Sequence, residues 1–277
     1  MNAELIYDNL ECVLHYPIAP GAHQMQGSNL ENLAEFSGRI CYDSVGEKGR
    51  GSAEYHANVL SMQHRSIYEH CTFTIPWNRP LDALMNRPSL YWRPGRVTLN
   101  LRHALEWPDE YVRSYAAYVA PNLFPLESPR EPLEPDDTRE RWLSFYITGV
   151  SRNLTHELVR HGDWTAISQR STRFCDESES PITWHPLADA TYCEWYAQLA
   201  RSGYRQMMTR LRERGVPLKQ ARGAARGLLP SALSTALVFS ASIEQWRHIL
   251  RLRGAADADQ EIQNLSGIIL DKVPWLG

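Results

Sequence analysis

Between residues 139 and 161 the apolar positions Trp142, Phe145, Tyr146, Val150, Leu154 and Leu158 recur three or four apart, the spacing that lines one face of a helix. This is the clearest long periodicity in the chain. It predicts a helix over 139–161 with Gly162 as its stop. The segment leaving that end is RHGDWTAISQRSTRF, residues 160 to 174. It sets Arg160, Arg170 and Arg173 among Ser168, Gln169, Ser171 and Thr172. The whole chain carries 29 Lys and Arg against 32 Asp and Glu, a net charge of −3. That balance excludes a general affinity for nucleic acid or membrane surfaces, so cationic donors gathered in one loop point to a local anion site. Guanidinium groups beside neutral hydroxyls suit a phosphate that must also be oriented.

The rest of the chain gives a soluble domain of mixed helix and strand. Its 277 residues suffice for a sizeable core. SNLENLAEFSGRICY places Leu30, Leu33, Phe36 and Ile40 at helical spacing behind Ser28, a helix N-cap. SAEYHANVLSM reads as a second helix. HCTFTIPW alternates, with Cys71, Phe73 and Ile75 on one face of a half-buried strand. Residues 77–138 are rich in Pro and charge and read as loops and short helices around one ordered piece, VTLNLRHALEW. A helix is predicted over 186–214 with Trp195, Leu199, Met207 and Leu211 inward. TALVFSA reads as a strand, and IEQWRHILRLR and DADQEIQNLSGIILDKV as two final helices, the second opening on Asp257 and Asp259.

The cysteines, Cys12, Cys41, Cys71, Cys175 and Cys193, are odd in number and form no CxxC pair. They argue against a disulfide framework or a zinc ribbon and for a reducing cytoplasm. No apolar run is long enough to span a membrane, and MNAELIYDNLECV lacks a signal sequence's apolar stretch.

Other chemistries fit the residues poorly. In THELVRH, His156 and His161 are five apart, so on an ideal helix they diverge by roughly 140°, and no metal is expected. Cys175 reads as a small buried hydrophobe rather than a nucleophile. RGAARG has neither the phosphate-loop nor the dinucleotide spacing. A lone arginine is usually a solvated charge. The clusters are what stand out: Arg160, Arg170 and Arg173; Arg222 and Arg226; and Arg247, Arg251 and Arg253.

RHGDWTAISQRSTRF resembles the signature of the flavin-dependent thymidylate synthases: Arg-His-Arg, seven residues, Ser, then Arg and an aromatic. Three further stretches agree in order. HRSIYEH (64–70) is similar to the family's His-x-Ser/Thr-x-x-Glu-His, ARGLLP (225–230) to its Ala-Arg-x-x-Leu-Pro, and IEQWRHILRLR followed by ADQEI to its last substrate-contacting helix and the acidic start of the next. The resemblance implies an α+β fold with a central mixed β-sheet flanked by helices. It implies a single domain over 1–277 with a loop-rich insertion at about 77–138.

It also implies a methyltransferase that makes dTMP from dUMP, with methylenetetrahydrofolate as carbon donor and NADPH recharging bound FAD. Carried over by position, Glu157, Ser171, Thr172, Arg173, Arg226 and Arg253 would bind the nucleotide, with Arg253 also catalytic at the pyrimidine. His64, Ser66, Glu69, Arg160, His161, Gln169 and His248 would line FAD. The sites would lie between subunits of a cytoplasmic homotetramer. The sequence departs from the pattern at Gly162, where the third triplet residue should be Arg. Arg160 to Ser171 is one residue too long, and Phe174 replaces the usual Tyr. These departures leave two other readings: a paralogue that uses another pyrimidine nucleotide or transfers a hydroxymethyl group, and a non-catalytic nucleotide-binding homologue.

Overall fold

The computed structural model describes residues 1–9, 13–14, 25–45, 50–80, 90–107, 109–162 and 164–277. Its strands are β1 (Asn2–Asp8), β2 (Val13–Leu14), β3 (Thr72–Trp77), β4 (Tyr91–Arg93), β5 (Gly95–Asn100), β6 (Trp142–Ser151), β7 (Thr165–Gln169) and β8 (Ser234–Ser242). Five form the main sheet in the order β2-β1-β6-β8-β7, and three form a smaller sheet in the order β3-β5-β4. The class is α+β, as expected, but the pairing is antiparallel at every ladder rather than mixed.

The helices are α1 (Asn29–Tyr42), α2 (Ser52–Ser61), α3 (Leu101–Glu106), α4 (Glu110–Val119), α5 (Arg152–Leu158), α6 (Ala190–Glu213), α7 (Leu218–Ala225), α8 (Ile243–Arg253) and α9 (Gln260–Lys272). Ser28 caps α1 in a capping box with Glu31. The main sheet is covered on both sides. Ile6, Leu33, Phe36 and Val238 belong to one core, shared with α1 and the small sheet. Leu143, Phe145, Phe239, Trp246 and Leu265 belong to the other, shared with α8 and α9. Each such side chain contributes about 1.5–3 kcal/mol on burial.

Residues 139–161 are therefore not one helix. Trp142–Ser151 is the central strand β6, and only Arg152–Leu158 is α-helical, followed by a 3-10 turn at Val159–His161. A strand covered on both faces reads as a near-continuous apolar run, and such a run mimics helical spacing. Leu143, Phe145 and Ile147 share one face, while Tyr146 packs edge-on to Phe36 on the other. The register of β6 against β8 shifts between Thr148 and Val150. Gly149 sits at that irregularity with φ +67°, and a Cβ there would come 3.0 Å from the Met1 nitrogen.

The segment 77–138, read as loops and short helices around one ordered piece, carries β4, β5, α3 and α4. Two other expectations change. β3 is buried on both faces, not one. And α6 buries Cys193, Ala197, Ala200 and Tyr204, while Trp195 and Leu199, predicted inward, are 55% and 54% exposed, and Met207 also faces out.

Candidate functional site

β6 delivers the chain directly into α5. Ser151 caps that helix, accepting from the Leu154 N–H at 3.1 Å, and is itself held by Glu261 of α9. The Ser151 N–H donates to Glu261 Oε1 at 2.7 Å and its hydroxyl to Oε2 at 2.5 Å. The acidic start of α9 thus fixes where α5 begins.

At the other end of α5, Arg253 of α8 gathers the expected residues. Its Nη1 donates to Glu157 Oε2 at 2.7 Å, its Nη2 to the Glu157 carbonyl at 3.2 Å, and its Nε to His161 Nε2 at 3.0 Å. Nε2 therefore accepts, and the ring proton sits on Nδ1. His248 meets the His161 ring edge-on, centroids 5.8 Å apart. Burial, then Arg253, His248 and Arg160, lower the His161 pKa from the ordinary histidine value. Arg160 is exposed beside this cluster.

The loop after β7 forms a second group. The Ser171 N–H donates to the Cys41 carbonyl at 3.0 Å, and the Ser171 carbonyl accepts from Phe174 and Cys175 at 3.2 and 2.9 Å. Within this turn Thr172 is buried, and Arg226 Nη1 donates to its Oγ1 at 3.2 Å. Arg173 is exposed and lies over Gly223 of α7, where a Cβ would stand 3.9 Å from its Nε. Arg170 is already committed: it grips buried Glu177 at 2.7 and 2.8 Å and Asp43 at 3.1 Å.

Sequence reasoning missed Arg152. It opens α5, donates through Nη2 to the Arg170 carbonyl at 2.7 Å, and has a buried Nε without a partner. Burial lowers its pKa, Glu177 works against that, and Arg170 and Arg226 add to the lowering. A half-buried guanidinium near two others is a signal for an anion site, but it shows only once the strand–helix boundary at residue 151 is placed correctly.

The third group is the 3-10 turn Arg65–His70. His64 Nδ1 lies 3.1 Å from the Tyr42 hydroxyl, Glu69 pairs with Arg102, and Ser66 is exposed. His70 anchors the turn: Nε2 meets Ser168 Oγ at 2.9 Å and Nδ1 meets Ser240 Oγ at 2.7 Å. Gln169 donates to Thr155 Oγ1 and Thr235 Oγ1 at 3.2 and 3.3 Å. β7 thus stands between the turn and α5. Among the described residues no hydrogen bond or ion pair joins an expected residue of one group to an expected residue of another.

The Gly162–Trp164 departure has a definite shape. Gly162 has an ordinary helical φ of −57°, and Asp163 lies outside the described residues. Trp164 adopts φ +60° and packs edge-on to Tyr91 of β4. Among the described residues, Asp136, Asp137 and Glu140 bring carboxylates within 4.8 Å of one another. Arg93 and Arg96 already neutralise them, reaching Glu140 at 2.9 and 2.8 Å. Cys175 is buried, and burial raises its thiol pKa, against the needs of a nucleophile. Cys12 lies outside the described residues.

Residues 142–274 match the family model for thymidylate synthase complementing protein. A flavin-dependent thymidylate synthase of Mycolicibacterium vanbaalenii is 38% identical over 136 residues, covering 45% of this chain and 54% of that protein. One from Mycobacterium avium is 37% identical over 141 residues with the same coverage of 45% and 54%. The chain spans about half the length of the curated relatives it matches. A solved flavin-dependent thymidylate synthase of Helicobacter pylori, complexed with FAD and dUMP, aligns over 99% of this chain and 95% of that one at 16% identity and a TM-score of 0.42.

Proposed function

For a chain whose residues 142–274 match the family model for thymidylate synthase complementing protein, we propose the reductive methylation of dUMP to dTMP, with methylenetetrahydrofolate as carbon donor and NADPH as reductant. The observation that carries this reading is the layout along α5. Arg152, near Arg226, opens the helix, and Glu157, bonded to Arg253, closes it. Its seven residues span about 10 Å. A phosphate at the Arg152 end and a pyrimidine at the Arg253 end would use both sets of donors.

In this reading Arg226, Ser171, Thr172 and Arg173 hold the phosphate, each charged contact contributing about 1.5–3 kcal/mol. Glu157 orients the Arg253 guanidinium. Arg253 stabilises on the base oxygens the negative charge that makes C5 nucleophilic, because a preorganised cation needs no rearrangement to do so. Neutral His161 accepts from Arg253 and keeps that guanidinium in place.

The residues also fit a flavin. Arg253, His248 and Arg160 lie close to His161, and Arg253 bonds to the Glu157 carboxylate, a group of cations and rings that suits an anionic cofactor. Ser66, Gln169, Arg160, His161 and His248 would hold FAD, with Glu69 and His64 on the 65–70 turn. Bound FAD supplies the hydride, so the chemistry asks no thiol of the protein. We place the protein in the cytoplasm as a homotetramer whose sites are completed between subunits. The separation of the three residue groups supports this, as does the outward aromatic face of α6, where Tyr192 and Trp195 are 64% and 55% exposed.

Gly162, in place of a triplet arginine, favours one second reading, a different pyrimidine acceptor. Purified protein supplied with FAD, NADPH and methylenetetrahydrofolate tests both. A one-methyl mass gain on dUMP supports the first. Methylation of UMP or dCMP, or transfer of a hydroxymethyl group, supports the second. Nucleotide binding without conversion leaves a binding homologue. Failure to bind either FAD or nucleotide rejects all three.

A further inference from the structure

The segment 77–138 plays no part in that reading, yet it encloses a groove of about 760 Å3, within the range of small-molecule sites. Its apolar lining includes Leu105, Leu123 and Phe124, and its rim carries Arg79, Arg113 and Arg130 against one acid, Glu110. Arg79 pairs with Asp109 at 3.1 Å. Among the described residues neither Arg113 nor Arg130 forms an ion pair. The Arg79 and Arg130 guanidinium groups lie over the Tyr111 ring, 4.3 and 5.3 Å from its centroid.

The groove is preformed. Glu31 of α1, fully buried, accepts from the Asn122 N–H at 2.7 Å, the Asn122 side chain at 2.9 Å and the Leu123 N–H at 3.1 Å. Further along, the Arg130 N–H donates to the Ser114 carbonyl at 2.9 Å. A buried carboxylate spent on a loop's backbone holds that wall in one shape. Neighbouring like charges without counter-charges repel, and an anion bound between them relieves this. Guanidinium groups held over an aromatic ring offer cations beside an aromatic and apolar lining.

We propose that this groove binds a small organic anion with a flat, apolar aromatic body, at a site separate from the nucleotide site. Arg113 and Arg130 take the anionic group, and the Leu105, Leu123 and Phe124 surface takes the ring system. The assignment does not depend on the thymidylate reading.

The test titrates the full chain with 1-anilinonaphthalene-8-sulfonate and with its uncharged analogue N-phenyl-1-naphthylamine, following fluorescence. The charged probe should saturate one site per chain and be unaffected by excess dUMP. The double variant Arg113→Gln/Arg130→Gln should bind it about tenfold or more weakly and bind the neutral probe as the parent does. Leu126→Glu, at an exposed lining position, should weaken the charged probe in the same way. Circular dichroism and the unfolding temperature establish that both variants are folded. Unchanged affinity for the charged probe in both variants overturns the proposal. So does equal weakening of both probes, or displacement by dUMP.

Discussion

Trp164 stands edge-on to Tyr91, ring centroids 5.7 Å apart and planes at 79°. The contact ties the turn that follows His161 to β4. Tyr91 in turn donates its hydroxyl to Asp137 at 3.2 Å and lies 5.3 Å beneath the Arg139 guanidinium. Arg139 reaches Glu244, in the first turn of α8, at 2.5 Å. The residue two places after the altered triplet is thus packed against the segment 77–138, whose last carbonyl, that of Thr138, accepts from the Glu244 N–H of the helix that carries His248 and Arg253. A bulky residue at positive φ persists only where its surroundings hold it, at a cost of order 1 kcal/mol. A double-mutant cycle with Tyr91→Ala and Trp164→Ala, followed by denaturant unfolding, should give a coupling of about 0.5–1.5 kcal/mol. Strict additivity would show that the rings merely touch.

Restoring the triplet should tighten FAD. Among the described residues, a Cβ at Gly162 would meet only the Val159 carbonyl oxygen, at 3.7 Å, so an arginine enters without backbone strain. Arg170 does not substitute for it, because Glu177 and Asp43 hold that charge. Trp164 is engaged with Tyr91, and an indole contact is weaker than a charged hydrogen bond. The parent should therefore lose FAD on dialysis, and Gly162→Arg should retain it, with about tenfold or greater gain in affinity. Full stoichiometric FAD in the dialysed parent and in Trp164→Ala would count against this.

The two halves of the site should separate by mutation. Arg226 bonds to Thr172 and the Arg173 side chain lies over Gly223 of α7, while His161 and His248 form a separate contact. Arg173→Ala should weaken nucleotide binding by about 1.5–3 kcal/mol while bound flavin absorbance stays unchanged. Equal loss of both ligands would show one undivided site.

Cys175→Ser should keep a substantial part of the turnover. The thiol is buried, and its raised pKa disfavours the thiolate. A folded, flavin-loaded variant without activity, together with a covalent adduct on Cys175 of the parent, would reverse that assignment.

Local signals were the most legible. Ser28 ahead of α1, and Asp259 ahead of α9, are caps whose donors and acceptors lie within one turn, so sequence alone shows them. Resemblance singled out Glu157, His161, His248 and Arg253, and these four side chains lie together at the end of α5. What failed was anything decided by which faces are covered. β6 reads as a helix because both of its faces are buried. Trp195 and Leu199 read as core because their apolar character does not reveal that α6 buries its small residues instead. Arg152 acts through a partner 18 residues away, so no local pattern marks it.

His70 should make the fold acid-sensitive through one identifiable ring. It is fully buried, each ring nitrogen meets a serine hydroxyl, and Ser240 passes the network on to Ser144 at 2.6 Å. A protonated ring would bring a charge into the core and turn both nitrogens into donors, so burial pushes its pKa down to about 3. The unfolded chain titrates near the ordinary value of about 6.5. Above that pH both states are neutral and the ring adds no pH dependence. Between about 6.5 and 3 the unfolded state holds a proton that the folded state refuses. Stability therefore falls as pH falls, by up to about 1.4 kcal/mol per pH unit. His70→Gln cannot titrate. It should cost about 1–3 kcal/mol at neutral pH for imperfectly replaced hydrogen bonds, and its stability should then decline less steeply than the parent's across this window. Carboxylates titrate in both proteins, so the difference between the two curves isolates the ring. Urea unfolding at a series of pH values measures it, and parallel parent and variant curves would rule His70 out as the source.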